Sequence, residues 1–259
     1  MSINNIVIIG SGNLGWNLTI ALFKAGFNIL QIIDKNIQSA NKLASQVNSD
    51  YTDNIKNINR NADLYIISVF DAVIENVVNS IKWNNKLVVH TSGSTNISIF
   101  KKNTDNYGVI YPLQTFTKFK QINFSNIPVF IEANNKENEN QLLKFISKIS
   151  NIVRLASSQK RFIIHLSAIV ANNFTNYLYT LTDELLKKQG ISFNILEPLF
   201  KETLNKAIEI GPSKSQTGPA IRNDINIIEK HLDFLKDKQE FYNIYTLISE
   251  NIINRYNSV

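Results

Sequence analysis

A glycine-rich turn between an apolar run and an amphipathic segment is the feature that most constrains this fold. Residues 6–9 are Ile-Val-Ile-Ile, residues 10–15 are Gly-Ser-Gly-Asn-Leu-Gly, and a second apolar run occupies residues 29–33. An acidic residue, Asp34, ends that run nineteen positions after the third glycine. This order predicts strand, tight turn, helix and strand, which is the unit that binds dinucleotides in parallel α/β proteins. The alternative is a glycine turn with only a structural role.

Each glycine has a separate expected task in such a turn. The first permits the tight bend, the second lets a pyrophosphate approach the backbone, and the third lets helix and strand pack closely. The free N–H groups at the start of the helix then bind the anion. The cofactor-binding residues predicted for this unit are Gly10, Gly12, Asn13, Leu14, Gly15, Asp34 and Lys35.

The pair Asp34-Lys35 bears on which dinucleotide is bound. A carboxylate here can accept both ribose hydroxyls of NAD and would repel a 2′-phosphate. Lys35 can neutralise that phosphate, although it lacks the fork of an arginine. The pair can also be a solvated charge pair at a strand end, and the choice between NAD and NADP stays open.

Strand and helix patterns alternate through the first 155 residues and then give way to helices alone. Alternation of this kind predicts a mostly parallel sheet covered on both faces. We therefore expect an α/β protein with a Rossmann domain over residues 1–156 and an all-helical domain over 157–259. Beyond the opening unit, strands are predicted near residues 62–69, 86–91, 107–110, 128–132 and 152–155, and helices over 71–81, 136–149, 158–189, 192–209, 221–236 and 238–256.

Composition excludes several classes of function. The chain has no cysteine, so disulfides and thiolate chemistry are excluded, which fits a reducing, cytoplasmic location. The net charge is +6, but the lysines are scattered and form no run with interleaved aromatics, so nucleic-acid binding is not expected. No apolar stretch approaches membrane-spanning length. Three histidines without metal-ligand spacing predict no metal site.

Several motifs together resemble a bacterial family of Rossmann-like proteins with a C-terminal domain of unknown function. The resemblance runs almost end to end, and the architecture is similar to that of the 6-phosphogluconate-dehydrogenase-like superfamily. That group includes pyrroline-5-carboxylate reductases, ketopantoate reductases, prephenate dehydrogenases and coenzyme-F420-dependent NADP oxidoreductases. The segments that carry it are residues 10–16, 90–94 (His-Thr-Ser-Gly-Ser), 111–116 (Tyr-Pro-Leu-Gln-Thr-Phe), 172–176 and 216–220 (Gln-Thr-Gly-Pro-Ala), with His165, Arg222 and Asp224.

The resemblance implies further cofactor contacts and a mode of assembly. In the similar enzymes the loop at Val69 and Phe70 covers the ribose and pyrophosphate, and Ser92 would border the nicotinamide. Relatives pair through the helical domain, so a homodimer is expected. The competing interpretations are a helix-capping role for Asp71 and a core position for His90.

A polar stripe on the first long helix carries the catalytic hypothesis. His165, Asn172 and Asn176 are spaced by seven and four residues and would share one α-helical face, in a segment without charges between Arg161 and Asp183. The predicted catalytic residues are His165, as proton donor, and Asn172 and Asn176, which would position the substrate. The stripe can also be a solvent face or a subunit interface.

The expected substrate contacts lie in two loops. Gln114 and Thr115 follow one predicted strand, and Gln216, Thr217 and Arg222 surround a Gly-Pro loop whose amides could bind a carboxylate. A plain turn with a surface Arg222–Asp224 pair is the alternative. These residues together predict an NAD- or NADP-dependent oxidoreductase that transfers hydride to a small anionic or carbonyl-bearing substrate. The alternative function is a non-catalytic dinucleotide-binding or sensor protein.

Overall fold

The computed structural model describes residues 3–120 and 122–257. The chain divides into two compact units, one ending at Ala171 and the other beginning at Asn172. The expected boundary near residue 156 falls just before a helix whose eleven residues belong to the first unit by this division. The domain limits 1–156 and 157–259 stay a prediction.

The first unit is built on one eight-stranded sheet, which confirms the predicted α/β class. Its order is β3-β2-β1-β4-β5-β6-β7-β8, and all neighbours are parallel except β6 and β7, which are antiparallel. The strands are β1 (Asn5–Ile9), β2 (Asn28–Ile33), β3 (Asp50–Thr52), β4 (Leu64–Ile67), β5 (Leu87–His90), β6 (Tyr107–Pro112), β7 (Val129–Ala133) and β8 (Val153–Leu155).

Helices cover both faces of this sheet because its central strands are apolar on both sides. The helices are α1 (Asn13–Lys24), α2 (Ile37–Val47), α3 (Asp71–Asn79), α4 (Lys136–Ile146) and α5 (Ser158–Ala168). One apolar layer joins the sheet to α1, α2 and α4, and the other joins it to α3 and the 3₁₀ turn Ile97–Phe100. The carboxyl ends of β1, β4 and β5 therefore meet at one edge, where ligands of open α/β sheets bind.

Two elements, α2 and β3, were absent from the sequence interpretation. Helix α2 is mostly polar, and its buried side chains are limited to Ala40, Leu43, Ala44 and Val47. These four residues have helical spacing, but the apolar signal is weak because two of them are alanines. A short exposed strand with three residues gives even less periodic signal.

The second unit is helical in its described residues. It contains α6 (Thr175–Lys187), α7 (Glu197–Ile210), α8 (Ile225–Leu235) and α9 (Gln239–Asn257). The expected start of the third helix at residue 221 was wrong, because Asp224 caps α8 by accepting a bond from Ile227 N. No described helix of either unit is long and apolar enough to cross a membrane.

The expected continuous helix over residues 158–189 is also corrected. A π-helical segment, Ile169–Phe174, separates α5 from α6. A π turn holds more residues than the 3.6 of an α-helix, so the seven-residue spacing of His165 and Asn172 no longer implies a shared face. Such segments are frequent at functional sites, and a sequence period does not reveal them.

Candidate active site

The glycine turn has the geometry that a pyrophosphate requires. Gly10 has φ +105°, and a Cβ there would collide with the carbonyl oxygen of Ser68, while a Cβ on Gly15 would collide with the carbonyl oxygen of Gly10. A Cβ on Gly12 meets nothing within 4 Å. The first and third glycines are therefore required by the packing, whereas the second faces open space.

The helix that follows leaves its N-terminus available for an anion. Gly12 is the N-cap of α1, no side chain caps it, and the first turn holds no acidic residue. Asn13 is exposed and Leu14 packs partly against the core. Open space at Gly12 and an uncapped helix start together fit a dinucleotide pyrophosphate.

Asp34 lies beside the glycine turn, as the sequence indicated, and stabilises it through hydrogen bonds. Its Oδ2 accepts hydrogen bonds from Ser11 N at 2.6 Å and Ser11 Oγ at 2.7 Å, and its Oδ1 accepts one from Asn36 N at 2.9 Å. Lys35 is exposed. Asp34 is thus a partner of the turn's own donors, in addition to its expected role toward a ribose.

The ends of β4 and β5 form the next part of the site. Val69 is half-buried, and Phe70 is 87% exposed although it is large and apolar. The expected helix cap at Asp71 was wrong: Phe70 is the N-cap of α3, and Asp71 accepts hydrogen bonds from Ser92 Oγ at 2.7 Å and from Ser94 Oγ. Asp71 therefore links the start of α3 to the turn after β5.

The side chain of His165 reaches the same turn from α5. Its Nδ1 lies 2.9 Å from Tyr111 Oη on β6, and the two rings meet edge to face with centroids 5.7 Å apart. A Cβ on Gly93 would lie 2.5 Å from His165 Cγ, so glycine is the residue that admits the imidazole here. The turn, the tyrosine and the histidine form one contact group.

Tyr111 is the buried member of this pair. It is 7% exposed, and burial together with a smaller effect of Asp71 raises its pKa to about 12, against the opposing effect of Arg161. The phenol is therefore protonated at neutral pH; it donates to His165 Nδ1 where that nitrogen carries no proton and accepts from it where it does.

Arg161 holds the group together, and the sequence interpretation missed it. Its side chain is 1% exposed and forms an ion pair with Glu132, donates from Nε to Ser92 O at 3.1 Å, and donates from Nη2 to Thr95 O at 2.5 Å. Glu132 also accepts bonds from Ser158 N and Oγ, both at 2.8 Å. The only sequence signal for this ion pair was Glu132, a charged residue at the end of an apolar strand.

His90 has a core position. It is fully buried, its Nδ1 accepts a bond from Ser92 N at 3.2 Å, and its ring stacks on Phe100. Its Nε2 has no hydrogen-bond partner among the described residues. Burial first, and then the nearby Arg161 charge, lower its pKa to about 3, so His90 is neutral at physiological pH.

The remaining predicted residues are not brought to this group by any described contact. In the first unit Gln114 and Thr115 are exposed and bond to each other, from Thr115 N to Gln114 Oε1. In the second unit Asn172, Asn176, Thr217 and Arg222 are exposed, and Gln216 is half-buried beside Pro212 and α9. Their catalytic and substrate roles stay predictions. Within the described ranges, no three His, Asp or Glu side chains form a metal-binding cluster.

Comparison with known proteins agrees with this geometry. Residues 5–93 match the family model for coenzyme-F420-dependent NADP oxidoreductases, and residues 127–252 match a domain of unknown function, DUF2520. A Bacteroides fragilis protein that is provisionally classed as an NADP oxidoreductase shares 39% identity, with a TM-score of 0.90 over 97% of this chain and 98% of its own. The chain belongs to this NADP oxidoreductase family, with a DUF2520 domain in its C-terminal half.

More distant structures share the fold of this DUF2520 protein. A Thermotoga maritima protein has 21% identity and a TM-score of 0.72 over 98% of both chains. An imine reductase from Myxococcus stipitatus, solved with NADP⁺, has 11% identity and a TM-score of 0.69 over 98% of this chain and all of its own. No functionally curated protein matches the sequence. The expected Rossmann fold, family resemblance and NAD(P) cofactor are confirmed.

Proposed function

We propose that this DUF2520 protein is an NAD(P)-dependent oxidoreductase that reduces a C=O or C=N bond of a small molecule. The observation that carries the proposal is the hydrogen-bonded pair of Tyr111 and His165 at the carboxyl edge of the sheet. The pair lies against the Ser92-Gly93 turn, in the same unit as the glycine turn that fits a pyrophosphate. The neighbouring imine reductase structures support a C=N substrate as well as a carbonyl one.

The nicotinamide supplies a hydride when it is bound, and the protein must supply the rest. Reduction adds a hydride to the carbon of the double bond and a proton to its oxygen or nitrogen. The imidazolium form of His165 gives this proton from Nε2, while its Nδ1–H donates to the hydroxyl oxygen of Tyr111 and stays on the ring. Tyr111 thereby fixes the ring orientation, and the neutral imidazole that remains keeps its proton on Nδ1.

The other contacts of the site orient these groups. Arg161 ties the backbone of Ser92 and Thr95 to α5, one helical turn before His165. The exposed ring of Phe70 supplies an apolar surface that excludes water from the reacting atoms. The residues of the second unit, Gln216, Thr217 and Arg222 among them, are proposed to contact the substrate.

A variant series tests the proton-donor role. Purified protein is assayed at 340 nm with NADPH and NADH against a panel of cyclic imines and 2-oxo acids, and His165→Asn is compared with wild type on the best substrate. We expect turnover to fall by about 10²- to 10⁴-fold, as for a lost general acid, with cofactor affinity retained. Tyr111→Phe should keep the fold and lower turnover less, because it removes only the orienting bond.

The chain offers a matched control in its second unit. His231 Nδ1 lies 2.7 Å from Tyr245 Oη, so His231→Asn breaks a similar pair to which the proposal assigns no role. That variant should turn over normally. Normal turnover by His165→Asn would refute the proton-donor role, and no oxidation of either reduced cofactor with any compound would favour the binding or sensor alternative.

We also propose that the protein is a homodimer joined through its second unit. The exposed apolar side chains of α7 support this, since Leu204 is 61% and Ile208 74% exposed, one turn apart on the same helix face. Large apolar side chains along one helix are costly to leave in water. A second copy of the same helix would cover them.

A further inference from the structure

We infer that Lys118 makes this protein select the phosphorylated dinucleotide, by binding the 2′-phosphate of NADPH. The inference rests on the proposed dinucleotide site and adds to it a residue from a distant loop. The supporting observations are the contacts of Lys118 with the segment that follows β2, where a dinucleotide places its adenosine ribose.

Lys118 comes from the loop after β6 and reaches the first turn of α2. Its Nζ donates to Ser39 Oγ at 2.7 Å, between residues that are 79 positions apart in the chain. Ser39 Oγ in turn lies 2.7 Å from Ser11 Oγ, in the glycine turn. The ammonium group is therefore held next to both segments that flank a bound adenosine ribose.

Further contacts fix the loop in this position. Lys118 N donates to Asn13 Oδ1 at 3.2 Å, and Asn17 Nδ2 donates to Thr117 O at 3.1 Å. The Nζ atom lies 5.7 Å from the ring centroid of Trp16, which provides a cation–π contact. Two backbone anchors and an aromatic ring hold the charge before any ligand binds, so little entropy is lost on binding.

The charges around Lys118 favour an anion. Lys118 is half-buried, and no carboxylate of residues 3–120 or 122–257 lies within 4.0 Å of its Nζ. Ser39 is in the first turn of α2, where helix N–H groups also favour negative charge. The exposed Lys35 adds a second positive group two residues before α2.

The nearby carboxylate of Asp34 does not oppose this assignment as the sequence suggested. Three donors from Ser11 and Asn36 already bond to its two oxygens and partly offset its negative charge. The side chain that was expected to exclude a 2′-phosphate is thus turned toward the protein's own backbone. Ser39 Oγ and Lys118 Nζ are left to meet the phosphate.

Calorimetry with cofactor fragments tests the inference without turnover. Wild type and Lys118→Met are titrated with 2′,5′-ADP and 5′-AMP, which differ by the 2′-phosphate, and with NADPH and NADH. We expect wild type to bind the phosphorylated member of each pair more tightly, and Lys118→Met to lose roughly 10- to 100-fold of that preference, as for one charge-assisted bond. Affinity for 5′-AMP and NADH should stay within about twofold.

Matched variants separate specific binding from loop damage and general charge. Lys120→Met removes the same charge from the same loop and should keep the preference, whereas Lys118→Arg should keep most of it. Equal losses for phosphorylated and unphosphorylated ligands in both Lys118 variants would show a loop anchor only and overturn the inference. Equal wild-type affinity for NADPH and NADH, and for 2′,5′-ADP and 5′-AMP, would also overturn the inference but leave the dinucleotide site in place. Absence of binding by all four ligands would refute both the inference and the dinucleotide site.

Discussion

His90 should make the first unit lose stability as the pH falls below neutrality. The imidazole is fully buried beside the Arg161 guanidinium, and its pKa falls from 6.5 to about 3 on folding. Below pH 6.5 His90 is therefore protonated in the unfolded chain but stays neutral in the folded chain. The free energy of unfolding consequently decreases as the pH falls. The contribution of His90 is fully present above about pH 6.5 and is lost as the pH approaches 3.

The size of the effect follows from these two pKa values. Linkage between them gives a loss of about 2 kcal/mol at pH 5 relative to pH 7.5, with a limiting slope of about 1.4 kcal/mol per pH unit. His90→Asn removes the titration, while its Oδ1 can still accept the bond from Ser92 N. The variant should be less stable at pH 7.5 because it leaves Phe100 without its stacked ring, but it should lose about 2 kcal/mol less than wild type on going to pH 5.

Urea unfolding followed by tryptophan fluorescence measures this difference. Both tryptophans, Trp16 and Trp83, are buried in the unit that contains His90, so their emission reports on that unit. Val88→Ala is the matched control, because Val88 is a buried residue of the same strand and the same sheet face but does not titrate. It should lower stability equally at both pH values. Parallel pH profiles for wild type and His90→Asn would refute the argument.

Three further predictions follow from the glycines and from α7. Gly12→Val should abolish dinucleotide binding in calorimetry while leaving the melting temperature unchanged, because its Cβ points into open space; retained binding would contradict the pyrophosphate assignment. Gly93→Ala should displace the His165 ring and lower turnover with little change in cofactor affinity, and unchanged kinetics would argue against the contact group. Wild type should be a dimer by light scattering at micromolar concentration and Ile208→Glu a monomer; a monomeric wild type would count against the α7 interface.

The glycine turn and the sheet could be predicted because their determinants are local. A strand, a turn with fixed glycine spacing and an amphipathic helix each leave a short-range pattern, and residues 6–33 contain all three in order. The confirmed parts of the prediction, α1 and the parallel strands, have this origin. Helix α2 and the π segment after α5 were missed, since neither gives a strong 3.6-residue period.

The contacts of the site could not be predicted in the same way, because they join distant segments. Tyr111 and His165 are 54 positions apart, and Arg161 lies 69 positions from the Ser92 carbonyl that it binds. Sequence alone proposed a role for His165 from the missing charges around it and left Tyr111 and Arg161 without roles. Only the sheet order, which brings β5, β6 and β7 side by side, makes these residues neighbours.

The proposed proton donor and the proposed cofactor site belong to the same unit. His165 is held by Gly93, Tyr111 and the Arg161 contacts, all within the unit that also contains the glycine turn. The groups proposed to bind the cofactor and to supply the proton are therefore held within one compact unit. If residues 216–222 contact the substrate as proposed, substitutions there should change substrate preference while the reacting groups stay in place. Substrate preference should accordingly follow the loop of residues 216–222, and the basic reaction should follow the sheet unit.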